Sequence, residues 1–257
     1  MKKNFLKIRK SVFKKFNLQV VPIEKISLKT QFPESTTTER KILKICDKFS
    51  MTGFERLFSL IKSIHHVNNN RVPGDYVECG VWKGGNLILF QKMIQYLKIK
   101  DKKIFGFDTF EGMSNPTNID KFLDGIKAKD YLKNQKKHKN IDNAHAFSPI
   151  DDVKKNYQKN TLKNKNLFLI KGKVEDTLRI RKNLPKKISI LRLDTDFYES
   201  TKIELEILYP RLSKNGILII DDYGEWAGAR KATDEFFYKK KATFFKVDRA
   251  CRIMFKK

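Results

Sequence analysis

Ile190-Leu-Arg-Leu-Asp-Thr-Asp-Phe-Tyr-Glu-Ser-Thr201 and Gly216-Ile-Leu-Ile-Ile-Asp-Asp-Tyr223 are built alike. Each is a short apolar run of strand type that ends in acid, Asp194 and Asp196 after the first, Asp221 and Asp222 after the second. In an open parallel sheet, ligands bind outside the carboxyl ends of the strands, and neighbouring strands lie only ~4.8 Å apart. If these strands are neighbours, the carboxylates converge on one spot. Such a cluster repels itself unless protons or a cation hold it together, and an all-oxygen set suits a hard ion such as Mg²⁺. A lone Asp in such a loop serves equally as the cap of the next helix. Two acidic pairs at matching strand ends favour a metal site.

The units before these runs repeat the pattern. Strand Tyr76-Val77-Glu78-Cys79 leads through Gly80-Val81-Trp82-Lys83-Gly84-Gly85-Asn86 into a helix at Leu87–Leu97. Glycines in such a turn let the backbone approach a nucleotide-like ligand, and the lack of a following Lys-Ser/Thr excludes a P-loop. Lys103–Asp108 is a second strand, ending in an acid where dinucleotide folds carry a ribose-binding carboxylate; a cap is the other reading of Asp108. Leu167–Lys171, Ile188–Asp194 and Gly216–Asp222 continue the sheet, with helices at Glu199–Leu212 and Ala229–Lys239, and Asn215-Gly216 as the turn back into the fifth strand. Ala242–Val247 and Arg249–Phe255 form an antiparallel hairpin around Asp248. Alternating strands and helices predict a doubly wound α/β sheet.

The remaining segments are less regular. Asn115–Lys165 is long and Lys-rich, with helices expected near Lys121–Lys133 and Ile150–Asn160; it reads as a lid or a disordered surface insertion. Its His138 and His145 reach a site only if it folds over, and exposed, non-catalytic histidines are the simpler reading. Met51-Thr52-Gly53-Phe54-Glu55 starts a helix, with Thr52 and Glu55 spaced as a capping box. Thr36–Phe49 is a helix opened by a Thr run, preceded by an irregular connector, Pro22–Ser35. Met1–Leu18 is basic, with Phe5, Leu6, Ile8, Val12, Phe13 and Phe16 on one side of a helix. That arm suits an anionic membrane surface, a partner or a second copy of the chain, and packing on its own domain fits as well. The expected division is a 1–50 arm and connector and a 51–257 domain with the 115–165 insertion.

Composition narrows the class. A chain of 257 residues can bury one large core. No apolar run approaches the ~20 residues of a membrane span, and no secretory signal is visible, so a cytoplasmic protein is expected, with peripheral contact at the inner membrane face through the arm. Three scattered cysteines, Cys46, Cys79 and Cys251, suggest packed thiols rather than disulfides or zinc. The formal charge of +26 is mostly Lys spread along the chain, which points to solvated faces. With no RNP motif, zinc finger or helix-turn-helix, no specific nucleic-acid partner is expected.

Six motifs occur in order: Met-Thr-Gly-Phe-Glu-Arg-Leu, Val-Glu-Cys-Gly-Val-Trp-Lys-Gly-Gly, Phe-Asp-Thr-Phe-Glu-Gly-Met, Gly-Lys-Val-Glu-Asp-Thr-Leu, Leu-Asp-Thr-Asp-Phe-Tyr-Glu-Ser-Thr and Ile-Asp-Asp-Tyr-Gly-Glu-Trp-Ala-Gly-Ala-Arg. Through them the chain, from about Met51 onward, resembles the TylF/MycF-type (macrocin) O-methyltransferases. The resemblance implies a class I methyltransferase sheet of seven strands ending in an antiparallel hairpin, S-adenosylmethionine as methyl donor, and a sugar hydroxyl as acceptor. It makes Asp194, Asp221 and Asp222 ligands of Mg²⁺ or Mn²⁺, and Asp196 the general base. It places Glu78 and Gly80 at the cofactor turn with Asn86, where Ser is common, Asp108 on the ribose, Val174 and Glu175 near the adenine, and Met51 and Thr52 beside the methionine part. Thr195 stands where Gly is common, and the stretch Asn118–His145, which departs from the pattern, should help form the acceptor pocket.

The expected acceptor is a small molecule or glycan, whether a surface glycan, a nucleotide sugar or a glycosylated metabolite, and a homo-oligomer is expected. A catechol-like acceptor keeps the same fold and metal. A non-catalytic nucleic-acid or membrane binder is disfavoured by the acids, since a binder of polyanions gains nothing from converging carboxylates.

Overall fold

The computed structural model describes residues 27–135, 145–161 and 165–257. The basic stretch Met1–Leu18 and His138 lie outside these residues. The chain divides into two compact units, 1–41 and 42–257.

In the first unit, helix α1 (Leu28–Gln31) is capped by Ser27, whose hydroxyl accepts the Thr30 N–H. Helix α2 (Thr37–Cys46) starts in a capping box: the Thr36 N–H donates to Glu39 at 2.7 Å and the Glu39 N–H to the Thr36 hydroxyl at 3.1 Å. The box expected at Thr52 and Glu55 does not cap helix α3 (Phe54–Asn69), because Gly53 takes the N-cap position and the Thr52 hydroxyl bonds that of Ser50 at 2.8 Å.

The second unit is a seven-stranded sheet in the order β3-β2-β1-β4-β5-β7-β6. Its strands are β1 (Asp75–Cys79), β2 (Ile104–Asp108), β3 (Leu167–Lys171), β4 (Ile188–Leu193), β5 (Leu212–Ile220), β6 (Phe245–Lys246) and β7 (Arg252–Phe255). β1 to β5 run parallel, and β7 pairs antiparallel with β5 and β6. This is the doubly wound seven-stranded α/β sheet with a C-terminal antiparallel hairpin that the sequence led one to expect. β5 begins earlier than expected. Asn215-Gly216 lies inside the strand, and the β4–β5 register shifts there, so the pair is an irregularity in a longer strand rather than a turn before it.

Side chains alternate across the buried strands. Val77, Cys79, Phe105, Phe107, Leu191, Leu193, Leu218 and Ile220 share one core cluster with Leu205, Leu208 and Phe237. These last residues belong to helices α8 (Tyr198–Leu208) and α9 (Ala227–Phe237). The intervening positions, Glu78 and Arg192 among them, point to the opposite face, where α3 and α4 (Gly85–Tyr96) lie. The order reverses between β1 and β4, and at this switch point Gly80 meets Asp194: a Cβ on Gly80 would lie 1.9 Å from the Asp194 carbonyl oxygen.

The insertion is partly ordered. Lys121–Lys127 is a tight hairpin turn around Asp124-Gly125 rather than a helix, closed by a Lys121–Lys127 bridge and a Phe122 N–H to Ile126 carbonyl bond of 2.8 Å. Helix α5 then covers Ala128–Gln135, and α6 covers Ile150–Asn160 as expected. Short helix α7 (Val174–Thr177) follows β3.

Candidate active site

β4 and β5 are neighbours in a register that pairs Leu193 with Ile220. Asp194 and Asp221 therefore leave the sheet side by side. One carboxylate oxygen each from Asp194, Asp221 and Asp222 lie within 4.8 Å of one another, a hard-oxygen set of the kind that holds Mg²⁺ or Mn²⁺. Asp196 adopts φ 66°, a left-handed conformation uncommon outside glycine, and its N–H donates to Asp222 Oδ2 at 3.2 Å. The bond ties the two loops together.

What braces these acids was not legible as function. β1–β4 register places Glu78 beside Arg192, and the Arg192 guanidinium is 3 % exposed. Nη1 donates to Glu78 Oε1 at 2.8 Å and Asp194 Oδ2 at 2.6 Å, and Nη2 to Asp221 Oδ1 at 2.6 Å. Arg56 on α3 donates through Nη1 to the other Asp221 oxygen and through Nε to Asp248 at 2.6 Å in the hairpin. The signal was available: an arginine inside a strand buried on both faces must have charged partners. Glu204 was missed too. It is fully buried on α8 and accepts the Thr195 hydroxyl at 3.0 Å, holding the residue between Asp194 and Asp196. An acid one turn from Ser200 and Leu208, on the buried face of α8, was its trace in the sequence.

Electrostatics follow from crowding and burial. Burial lifts Asp196 to about 8, with the charge of Asp194 adding to it. Burial lifts Asp194 to about 7, against the pull of Arg192, and holds Asp222 well above the carboxylate range, with Asp196 and Asp194 adding to it. Glu78 is pushed up to about 8 by burial, countered by Arg192 and Asn86. Burial opposes the Arg192 charge, and Asp194, Asp221 and Glu78 outweigh it. Carboxylates crowded and buried in this way call for protons or a cation to offset their mutual repulsion.

Two cavities meet over these acids. The smaller, about 70 Å³, is lined by Asp108, Thr109, Lys173, Val174 and Glu175. The larger, about 400 Å³, is lined by Met51, Thr52, Arg56, Phe122, Tyr131 and Trp226, with Asp221 and Asp222. Gly80, Asp108, Met113, Ala146, Asp194 and Asp196 belong to both. Asp108 also closes the glycine turn, accepting the N–H groups of Val81 at 2.6 Å, Trp82 at 3.1 Å and Phe110 at 2.6 Å. Glu78 and Asn86 stand behind the cavity walls: the Asn86 amide donates to Glu78 Oε1 at 2.8 Å, while buried Glu78 Oε2 has no hydrogen-bond partner among the described residues. The His145 ring bonds the Leu132 carbonyl at 3.2 Å rather than an acid.

The family described as Macrocin-O-methyltransferase (TylF) matches residues 13–257. The chain belongs to this family. Its relatives include the demethyldecarbamoylnovobiocin O-methyltransferase of Streptomyces niveus, 30 % identical over 73 % of this chain and 67 % of the relative. The 8-demethyl-8-(2,3-dimethoxy-alpha-L-rhamnosyl)-tetracenomycin-C 4'-O-methyltransferase of Streptomyces olivaceus is 31 % identical over 68 % of this chain and 62 % of the relative. The mycinamicin III 3''-O-methyltransferase of Micromonospora griseorubida is 28 % identical over 68 % and 65 %. The matches thus span about two thirds of the length of these relatives. Among solved structures, the O-methyltransferase NovP superposes with a TM-score of 0.70 at 27 % identity, covering 81 % of this chain and 82 % of NovP. The calicheamicin methyltransferase CalS11, at TM-score 0.60 and 19 % identity over 92 % and 97 % of the chains, shares the fold. The TylF family consists of S-adenosylmethionine-dependent O-methyltransferases, and this chain is an enzyme of that class. Among the described residues no helix is long and apolar enough to cross a membrane.

Proposed function

We propose that this TylF-family protein transfers the methyl group of S-adenosylmethionine to a hydroxyl of a sugar moiety, in a surface glycan, a nucleotide sugar or a glycosylated metabolite, and needs a divalent cation to do so. The observation that carries the reading is the convergence of Asp194, Asp196, Asp221 and Asp222 where two cavities meet. The names of the novobiocin, tetracenomycin and mycinamicin relatives, one of which specifies a rhamnosyl group, support a sugar acceptor.

The residues fit both groups. The missing Cβ of Gly80, the unpartnered oxygen of Glu78 and the smaller cavity support a cofactor lying across the β1 turn. Asp108 would hold the ribose, Val174 and Glu175 the adenine, and Met51 and Thr52 the methionine end, with Asn86 acting by orienting Glu78. Asp194, Asp221 and Asp222 would hold Mg²⁺ or Mn²⁺, which when bound supplies Lewis acidity and a template for neighbouring oxygens. Asp196 takes the acceptor hydroxyl's proton at its carboxylate, and burial, which raises its affinity for protons, suits it to the task. S-adenosylmethionine, when bound, would supply an electrophilic methyl group for the deprotonated hydroxyl oxygen, the new C–O bond replacing the methyl C–S bond and the donor being left as the neutral thioether S-adenosylhomocysteine.

An acceptor screen with methyl-labelled S-adenosylmethionine, run with Mg²⁺ and with EDTA, tests this reading. Label should enter sugar hydroxyls only with metal; label in catechols alone would establish the second reading, which the rings of Phe122, Tyr131 and Trp226 beside the acids also support. The basic stretch 1–18 is proposed to bind an anionic membrane or a second copy. Its deletion should lower vesicle binding or oligomer size, and no change in either removes that role.

A further inference from the structure

Asp120 lies in the polar insertion, yet it is only 2 % exposed. Its Oδ2 accepts the Thr117 N–H at 2.7 Å and the Thr117 hydroxyl at 2.8 Å. Its Oδ1 accepts the N–H of Tyr198 at 2.8 Å. Tyr198 is the first residue of α8, and its N–H is one of those a helix start leaves unpaired. The local N-cap, Phe197, has no side-chain acceptor, so a carboxylate 78 residues away supplies one. A separate observation points to the same atom. A Cβ on Gly228, near the start of α9, would lie 2.2 Å from Asp120 Oδ1 and 2.8 Å from the Tyr198 nitrogen. Only a residue without a side chain leaves room for the carboxylate there. Asp120 thus sits between the starts of the helices that follow Asp194-Thr195-Asp196 and Asp221-Asp222.

The turn it anchors brings aromatic rings to the site. Phe122 stacks on Trp226 with centroids 4.0 Å apart, and Tyr131 meets Phe122 edge-on at 5.0 Å. Backbone bonds join Leu123 N–H to the Glu225 carbonyl at 3.0 Å and Ala227 N–H to the Lys121 carbonyl at 2.8 Å. All three rings line the larger cavity that also holds the acids.

We propose that Asp120 is a positioning residue for the acceptor: it pins the insertion to the starts of α8 and α9 and thereby sets the aromatic wall against Asp194, Asp196 and Asp222. The proposal rests on the methyl-transfer reading above. An acceptor ring then lies with its apolar face on Phe122, Tyr131 and Trp226 and its hydroxyl toward the acids.

The test compares wild type with Asp120→Ala, Asp120→Asn and Gly228→Ala, all saturated with S-adenosylhomocysteine. Amide hydrogen exchange over residues 117–132 should be about tenfold faster or more in Asp120→Ala and Gly228→Ala, while S-adenosylhomocysteine affinity stays within about threefold. With p-nitrophenyl α-L-rhamnoside as acceptor, KM should rise about tenfold while kcat changes less than about threefold, the split expected for lost positioning. Asp120→Asn keeps one acceptor oxygen and should fall between. Wild-type exchange in both Asp120→Ala and Gly228→Ala overturns the proposal, as does faster exchange with unaltered KM. Exchange needs no acceptor, so a wild type that binds S-adenosylhomocysteine but methylates no sugar refutes the proposed function, while exchange still decides whether Asp120 holds the insertion.

Discussion

The floor and the roof of the site are built differently. The floor is the row of acids at the ends of β4 and β5, cross-braced by Arg192 from within the buried sheet and by Arg56 from helix α3. The roof is the turn at 117–127 with helix α5, held by one buried carboxylate, a ring stack and a few backbone bonds. A floor of charges needs rigid partners, because each unpaired buried charge is costly. A roof of rings and backbone can vary in sequence without disturbing the acids beneath, which fits a division in which the floor carries the chemistry and the roof the choice of acceptor. Four experiments sharpen or break that contrast.

The largest effect is expected at Asp196. Asp196→Asn should lower turnover ~10² to 10⁴-fold, while S-adenosylhomocysteine affinity is kept. Asp194→Asn and Asp222→Asn should lose activity that excess Mg²⁺ or Mn²⁺ partly restores. Turnover across a metal series separates the roles: equal rescue of Asp196→Asn would make it a ligand instead of the base.

Next is the brace. Arg192→Met takes the ion-pair partner from Glu78 and Asp194, leaves Asp221 with Arg56 alone, and should cost ~3 to 5 kcal/mol, about 6 to 20 °C in thermal midpoint. Lys154→Ala, which removes an exposed pair with Asp151 at 3.1 Å, should cost ~0.5 kcal/mol or less. Similar midpoints for the two variants would show that the floor is not held by its charges.

Asp108→Ala should weaken S-adenosylmethionine binding by ~1.5 to 3 kcal/mol, measured by calorimetry. Unchanged affinity in a folded variant would confine Asp108 to closing the glycine turn.

The smallest effect concerns pH. Burial raises Asp194 to about 7 and Asp196 to about 8. From an unfolded value of ~3.9 up to these folded values, the metal-free native state binds more protons than the unfolded chain, so these groups' contribution to stability declines as pH rises through that window. A cation competes with those protons, so Mg²⁺ should raise the thermal midpoint by a few degrees more at about pH 8 than at about pH 6. Equal shifts at both pH values would mean that the acids are not the metal site.

Much of the floor was legible because its signals are local. Alternating apolar residues marked β4 and β5, the acids stood at their ends, and the glycines after Cys79 marked the turn at the switch point. The same locality explains the errors. Thr52 and Glu55 had the spacing of a capping box, but Gly53 took the cap and the Thr52 hydroxyl went to Ser50. Lys121–Lys133 had the composition of a helix, yet Asp124-Gly125 closed a hairpin turn that tertiary bonds to Glu225 and Ala227 stabilise.

By itself, then, the sequence determined which segments become strands and helices and that acids gather at the carboxyl end of the sheet, since periodicity and turn chemistry act over a few residues. Only the tertiary structure decided which charges meet. Glu78 reaches Arg192 across 114 residues, Arg56 reaches Asp221 across 165, and Asp120 reaches Tyr198 across 78. Those pairings depend on strand order, register and the docking of a turn, and a buried charge finds its partner only when the whole sheet has closed around it.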